Sequence, residues 1–274
     1  MFVFQPPFSS GPPKPTIIIV TGKILHHIAY STLAESLPST GHRVLAPELA
    51  SDWSFKPLGE TVEVDVEALR NNILQQVNAG NEVVLVMHSY GCIVGGAAVK
   101  GLSKKQREAE GEKGGVVGLI FIAGFLVDGG MSVKDTLPGG SLESTEEYPI
   151  GEPIQSGHTT NLQDLRRQLY STETVPESSY RANFKKILAD GKLCFVSPSP
   201  AQGWKDDGFH GRRAYIRASK DTCLPLPEQT AMIEGSGVEW MIEDLDAGYN
   251  ICKTHTDALV ELIPELIFGF EAAE

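Results

Sequence analysis

The sequence predicts an α/β fold with a mainly parallel sheet covered by helices on both faces. Three observations predict it. Short β-branched runs alternate with segments of helical apolar spacing along most of the chain. The runs are apolar at nearly every position, as strands buried on both faces are. A length of 274 residues suits one such domain with a modest insertion and would crowd two.

Thr16 to Val20 (TIIIV) reads as the first buried strand and ends at Thr21-Gly22. Helical spacing covers Ile28 to Leu37 and stops at Pro38 and Gly41; Arg43 to Ala46 is a second strand, closed by Pro47. Val62, Val66, Leu69, Ile73 and Val77 form the stripe of an amphipathic helix, which Asn78-Ala79-Gly80 terminates. Glu82 to Met87 is a continuous apolar strand, followed by a small-residue helix from Gly91 to Lys100. The segment Gly101 to Gly115 is charged and flanked by glycines, and reads as a solvated excursion. Val116 to Ala123 is another buried strand. Arg213 to Ala218 and Val238 to Glu243 supply two more, separated by a helix near Pro227 to Glu234, and an amphipathic helix from Thr256 to Phe270 closes the chain.

Two regions break this rhythm. Residues 1–15 hold five prolines and no basic, leader-like start, so they read as an extended arm. Residues 128–207 are rich in Gly, Pro, Ser, Thr and Glu, with helical pattern only near Leu162 to Tyr170 and Tyr180 to Leu188. They lie between two strands, where a cap would be inserted. The expected organisation is an arm at 1–15, a core at 16–127 and 208–274, and a cap at 128–207.

A net charge of −12 argues against nucleic acid, which needs clustered cations, and disfavours an anionic membrane surface. No apolar run approaches the roughly 20 residues of a membrane span. Cys92, Cys194, Cys223 and Cys252 show neither CxxC nor zinc-like spacing and read as reduced thiols, which suits a cytoplasmic protein. No cofactor or metal is expected. Gly91 to Gly96 lacks the G-x-G-x-x-G order of a dinucleotide site. Asp206-Asp207 and Glu146-Glu147 lack the surrounding ligands of a metal site and read as solvated loop charges.

The chemistry concentrates at Val86-Met87-His88-Ser89-Tyr90-Gly91. A serine between a buried strand and a helix is held on a sharp bend, with Oγ exposed above the sheet. Small residues are needed where strand and helix approach, and Gly91, Gly95 and Gly96 follow the serine. Met87 stands where the G-x-S-x-G pattern has its first glycine, so the motif is degenerate.

On these residues the chain resembles the compact α/β-hydrolases, close to fungal members of the group that also holds small esterases and hydroxynitrile lyases. The resemblance runs from about Thr16 to Phe270 and is weakest in the cap. It implies the α/β-hydrolase fold with Ser89 as nucleophile. Val20-Thr21-Gly22-Lys23 matches the family's oxyanion loop, so the backbone N–H groups of Lys23 and Tyr90 would form the oxyanion hole. Gly22, His26 and His27 would line the substrate pocket. Ala218-Ser219-Lys220-Asp221, ahead of Leu224-Pro225, matches the acid loop and makes Asp221 the triad acid. Asp246-Ala247-Gly248-Tyr249 falls where the family reads Gly-His, so Tyr249 stands at the position of the catalytic histidine.

That departure is chemical. An imidazole titrates near pH 6.5, whereas a phenol holds its proton to about pH 10. Making Tyr249 an equally ready base would need a drop of about three pH units, or roughly 4 kcal/mol, and no cation cluster near it in sequence suggests one. Loss of the base from a serine-hydrolase triad costs on the order of a million-fold in turnover. Of the other histidines, His26 and His27 follow the oxyanion loop, and His88 adjoins the nucleophile. His255 begins the last helix, His210 precedes the strand leading to Asp221, and His42 and His158 read as surface and cap residues.

Three functions follow. The first is an enzyme for a small apolar carbonyl or ester compound in which Tyr249 is a hydrogen-bond donor or general acid. Its chemistry would be lyase, isomerase or cyclisation chemistry of the kind found in biosynthetic pathways. The second is a serine esterase using Ser89 with a relocated histidine. The third is a non-catalytic scaffold that holds a small ligand.

Overall fold

The computed structural model describes residues 2–6, 13–22, 28–53, 61–136, 194 and 196–272. The helical patterns expected near Leu162 to Tyr170 and Tyr180 to Leu188 lie outside them, as do Lys23, His26, His27 and His158.

The sheet has seven strands: β1 (Phe2–Phe4), β2 (Thr16–Val20), β3 (Val44–Ala46), β4 (Glu82–His88), β5 (Gly115–Ile122), β6 (Arg213–Ala218) and β7 (Met241–Leu245). Their order is β1-β3-β2-β4-β5-β6-β7, with β1 antiparallel to β3 and every other pairing parallel. This is the α/β-hydrolase fold class that the sequence predicts. β2 and β5 are buried along their whole length, which explains runs as unbroken as TIIIV and GVVGLIFI.

The α-helices among the described residues are α1 (Ile28–Ser36), α2 (Val62–Asn78), α3 (Gly91–Ala98), α4 (Lys104–Ala109), α5 (Val133–Thr136), α6 (Leu226–Gly235), α7 (Ile251–Thr254) and α8 (Thr256–Ala272). Two apolar clusters sandwich the sheet. One joins Tyr30, Leu33, Leu259, Ile263 and Phe270 to one face, and the other joins Leu69, Ile73, Ile93 and Trp204 to the opposite face. None of the described helices is long and apolar enough to cross a membrane.

Three elements differ from the sequence reading. The charged stretch Gly101 to Gly115 contains α4, whose first turn is capped by Ser103 Oγ accepting the Gln106 N–H. Arg107 is buried there and donates to the Gly114 carbonyl at 2.7 Å and Asn78 Oδ1 at 2.9 Å. The charges therefore mask a docked helix. The last strand begins at Met241, three residues later than the apolar residues Val238 and Trp240 suggest. Those two pack against the core from the lead-in loop. Among the described strands β7 pairs only with β6, and it is mostly exposed; its Asp244 takes two bonds from the Arg217 guanidinium, at 2.6 and 2.7 Å. Finally, Phe2–Phe4 within the Pro-rich start pairs with β3 as an edge strand.

Candidate active site

β4 runs into α3 through Ser89 and Tyr90, and the turn forces Ser89 to φ +54°. A non-glycine residue in this region costs of order 1–3 kcal/mol, so the surroundings must hold it there. They do so by close packing. A Cβ on Gly91 would sit 2.5 Å from the Val20 carbonyl oxygen and 2.6 Å from that of Thr21, which lets α3 start directly against the end of β2. The missing first glycine of the motif is compensated further along. Met87 points toward α3, and its sulfur fills the space that a Cβ on Gly95 would take. Ser89 is nearly fully buried, and its N–H donates to the Ile122 carbonyl at 3.2 Å.

Tyr249 lies on the loop between β7 and α7, and its Oη–H donates to Ser89 Oγ at 2.7 Å. The phenol is buried, and burial holds its pKa well above the usual 10, with the nearby Cys223 and Asp221 adding to the rise and the Ser89 bond opposing it. It is therefore protonated throughout the physiological range. Asn250 beside it is wholly buried, and neither polar atom of its side chain has a partner among the described residues.

Asp221 sits on the loop after β6. That loop is tied to the Tyr249 loop by backbone bonds from Ser219 N–H to the Leu245 carbonyl and from Lys220 N–H to the Ala247 carbonyl, both 2.9 Å. Gln229 on α6 clamps it from the other side. Its Oε1 accepts from Ala218 N–H, and its Nε2 donates to the carbonyls of Ala218 and Leu224. Oδ1 of Asp221 accepts the N–H groups of Cys223 at 2.7 Å and Leu224 at 3.0 Å. Oδ2 is buried with no partner among the described residues. Burial raises the carboxyl pKa to about 7, against the pull of the two backbone bonds.

The Thr21-Gly22 turn also borders Ser89. A Cβ on Gly22 would lie 3.0 Å from Ser89 Cβ, 3.0 Å from Tyr30 Oη and 3.2 Å from His88 Nδ1, so only glycine fits without displacement. The Gly22 N–H donates to Tyr30 Oη at 2.8 Å. Tyr90, the residue after the nucleophile, is fixed by its hydroxyl donating to Asp65 Oδ2 at 2.9 Å. Asp65 is a wholly buried carboxylate on α2 that also takes the N–H and hydroxyl of Ser51.

The described histidines are engaged elsewhere. His42 Nδ1 bonds the Pro15 carbonyl, and His255 Nδ1 bonds Thr254 Oγ1. His210 is exposed at the end of a short turn of helix. Both ring nitrogens of His88 are engaged in a buried network with Tyr30 and the Tyr249 carbonyl. The structure thus brings Ser89, Tyr249 and Gly22 together and holds Tyr90 and Asp221 on adjoining turns. Sequence reasoning missed Tyr30, Asp65 and Gln229, whose apolar-helix and loop contexts carry no motif. Among the described residues no group of three or more His, Cys, Asp or Glu could hold a metal ion.

Residues 24–261 match the model of the "Alpha/beta hydrolase family". The chain is 27% identical to the alpha/beta hydrolase nvfD of Aspergillus novofumigatus, with 91% of this chain and 95% of that protein covered. It is 25% identical to a probable hydrolase, R7, of a Phoma species, over 92% of this chain and 98% of that one. A pyrethroid hydrolase from Sphingobium faniae superposes with a TM-score of 0.66 at 19% identity, covering 93% of this chain and 97% of that one. At that identity the likeness speaks for the fold.

Proposed function

The chain belongs to the alpha/beta hydrolase family, and we propose that it is an enzyme for a small, apolar carbonyl or ester compound that works without hydrolysis. The hydrogen bond from Tyr249 to Ser89 carries this reading. A serine nucleophile needs a base that withdraws its proton. Here the neighbour gives a proton to Ser89 Oγ, and its own raised pKa keeps it from taking one. The Ser89 hydroxyl is therefore left to donate into the site, and the Tyr249 phenol stands behind it as its proton source. With the backbone N–H groups that the family resemblance assigns to the oxyanion hole, those of Lys23 and Tyr90, this pair would suit polarisation of a carbonyl and delivery of a proton to developing negative charge. That is the requirement of a lyase, an isomerase or a cyclase. The relatives' designation as hydrolases supports a carbonyl- or ester-bearing substrate.

Turnover in oxygen-18 water tests the reading. Small apolar carbonyl compounds and esters are screened by mass spectrometry for products of unchanged elemental composition, or fragments that together lack an added water. Unlabelled products of this kind are expected. Products heavier by one water and carrying the label would contradict the proposal.

The strained elbow favours a second reading. Keeping Ser89 at φ +54° is costly, and a serine esterase would use that geometry. It would require His26, His27 or His158 as base, and its products would carry the label. A ligand-binding scaffold would show saturable binding and no product at all.

A further inference from the structure

His88 precedes the nucleophile and is wholly buried, yet both ring nitrogens are used. Nε2 lies 3.0 Å from the Tyr249 carbonyl oxygen, and Nδ1 lies 2.7 Å from Tyr30 Oη. A carbonyl only accepts, so Nε2 must carry hydrogen. Burial lowers the ring's pKa to about 4, so the imidazole is neutral and Nδ1 is bare. Nδ1 must then accept, and Tyr30 Oη–H donates to it. The Tyr30 oxygen in turn accepts the Gly22 N–H at 2.8 Å. Every bond in the chain has one permitted direction: Gly22 N–H to Tyr30, Tyr30 to His88, and His88 to the backbone of Tyr249. Among the described residues the groups facing the ring are uncharged: the Tyr30 hydroxyl, the Tyr249 carbonyl and ring edge (centroids 4.9 Å apart), and the Gly22 backbone.

We propose that His88 is a positioning residue: as its Nε2–H tautomer it holds the Tyr249 loop and, through Tyr30, the Gly22 turn at fixed spacing around Ser89. This rests on the reading of Ser89, Tyr249 and the Gly22 turn as one active site. The two walls of that site come from distant parts of the chain, Gly22 after β2 and Tyr249 after β7. His88 is the side chain that bridges them, from the residue next to the nucleophile. The chain also commits the Gly22 N–H to Tyr30. Gly22 thus serves the site by its missing side chain and not by its N–H.

The test uses the full-length protein labelled with nitrogen-15 histidine. Long-range proton–nitrogen spectra between pH 6 and 8 should show His88 neutral, with a protonated Nε2 and an accepting Nδ1. Tyr30→Phe keeps the ring and its packing but removes the hydroxyl. It should move the Nδ1 resonance to that of an unbonded nitrogen and speed Gly22 amide exchange at least ten-fold. In a Tyr249→His background, Tyr30→Phe should also lower p-nitrophenyl acetate hydrolysis about ten- to a hundred-fold, as loosened site geometry does. An Nδ1–H tautomer, a cationic ring at pH 7, or an unmoved Nδ1 resonance in Tyr30→Phe would overturn the proposal. So would a normal network whose loss leaves ester turnover unchanged. Failure of Tyr249→His to hydrolyse the ester would count against the active-site reading alone, because the spectra and the Gly22 exchange decide the network independently.

Discussion

Tyr249 donates its phenolic proton to Ser89 Oγ across 2.7 Å, so the bond at the candidate nucleophile runs opposite to that of an activated serine. A phenol is the stronger acid of the two hydroxyls and so the better donor. Ser89 therefore keeps its proton while occupying the geometry of a nucleophile.

Reactivity should reflect this. Brief exposure to a fluorophosphonate, followed by intact-mass spectrometry, should show slow, substoichiometric modification of Ser89. Rapid stoichiometric labelling would mean that a base reaches Ser89 after all, and the esterase reading would prevail.

Gly22→Ala should damage the site more than the fold. Its Cβ would press on Ser89 Cβ and Tyr30 Oη at 3.0 Å, both held by buried bonds. Overpacking of this kind costs roughly 1–3 kcal/mol, and displacement of the turn should cut turnover at least ten-fold. Denaturant unfolding and kinetics on the same preparation check both effects. A variant with unchanged kinetics would show that the turn does not border the reacting groups.

Asp221 predicts an unusual pH dependence. Its folded pKa of about 7 lies above the unfolded value of 3.8, so the folded state holds the proton more tightly. Its contribution is least costly below pH 4, and stability falls as pH rises from about 4 through 7. Asp221→Asn should remove that fall and stabilise the protein by roughly 1–3 kcal/mol at pH 8. The gain should shrink toward pH 5. His88 acts in the opposite sense: its folded pKa of about 4 lies below 6.5, so stability is lost as pH falls through that window. The variant should keep this acid-side loss. Urea titrations of both proteins at several pH values measure it, and an Asp221→Asn variant less stable at pH 8 would show the carboxylate to be favourably bound.

Much of this was legible in the sequence, for physical reasons. Central strands such as Thr16–Val20 are buried on both faces and must be apolar throughout, so they stand out. The Ser89 turn and the position of Tyr249 could be read because strand ends converge in a fixed order in such sheets. Helix α4 was hidden because a docked helix with one buried arginine looks like a solvated run. The edge strand β7 was misplaced because Val238 and Trp240 are anchors outside the ladder. The Gly22–Tyr30–His88–Tyr249 chain was invisible, since two of its four groups are backbone atoms and carry no residue-type signal.

The central claim is that Tyr249 occupies the place of a catalytic histidine, and Tyr249→His tests it most directly. Ser89 is already on its strained turn, and Asp221 Oδ2 is buried without a partner among the described residues, an acceptor that an imidazole N–H would satisfy. Such an N–H would also draw the Asp221 pKa down from about 7. With a base of suitable pKa beside Ser89, hydrolysis of p-nitrophenyl acetate should rise about ten- to a thousand-fold over the parent. That is short of the roughly million-fold triad effect because the supporting shell is not built for an imidazole. Adding Ser89→Ala should erase the gain. A folded Tyr249→His protein with no increase in Ser89-dependent hydrolysis would contradict the account.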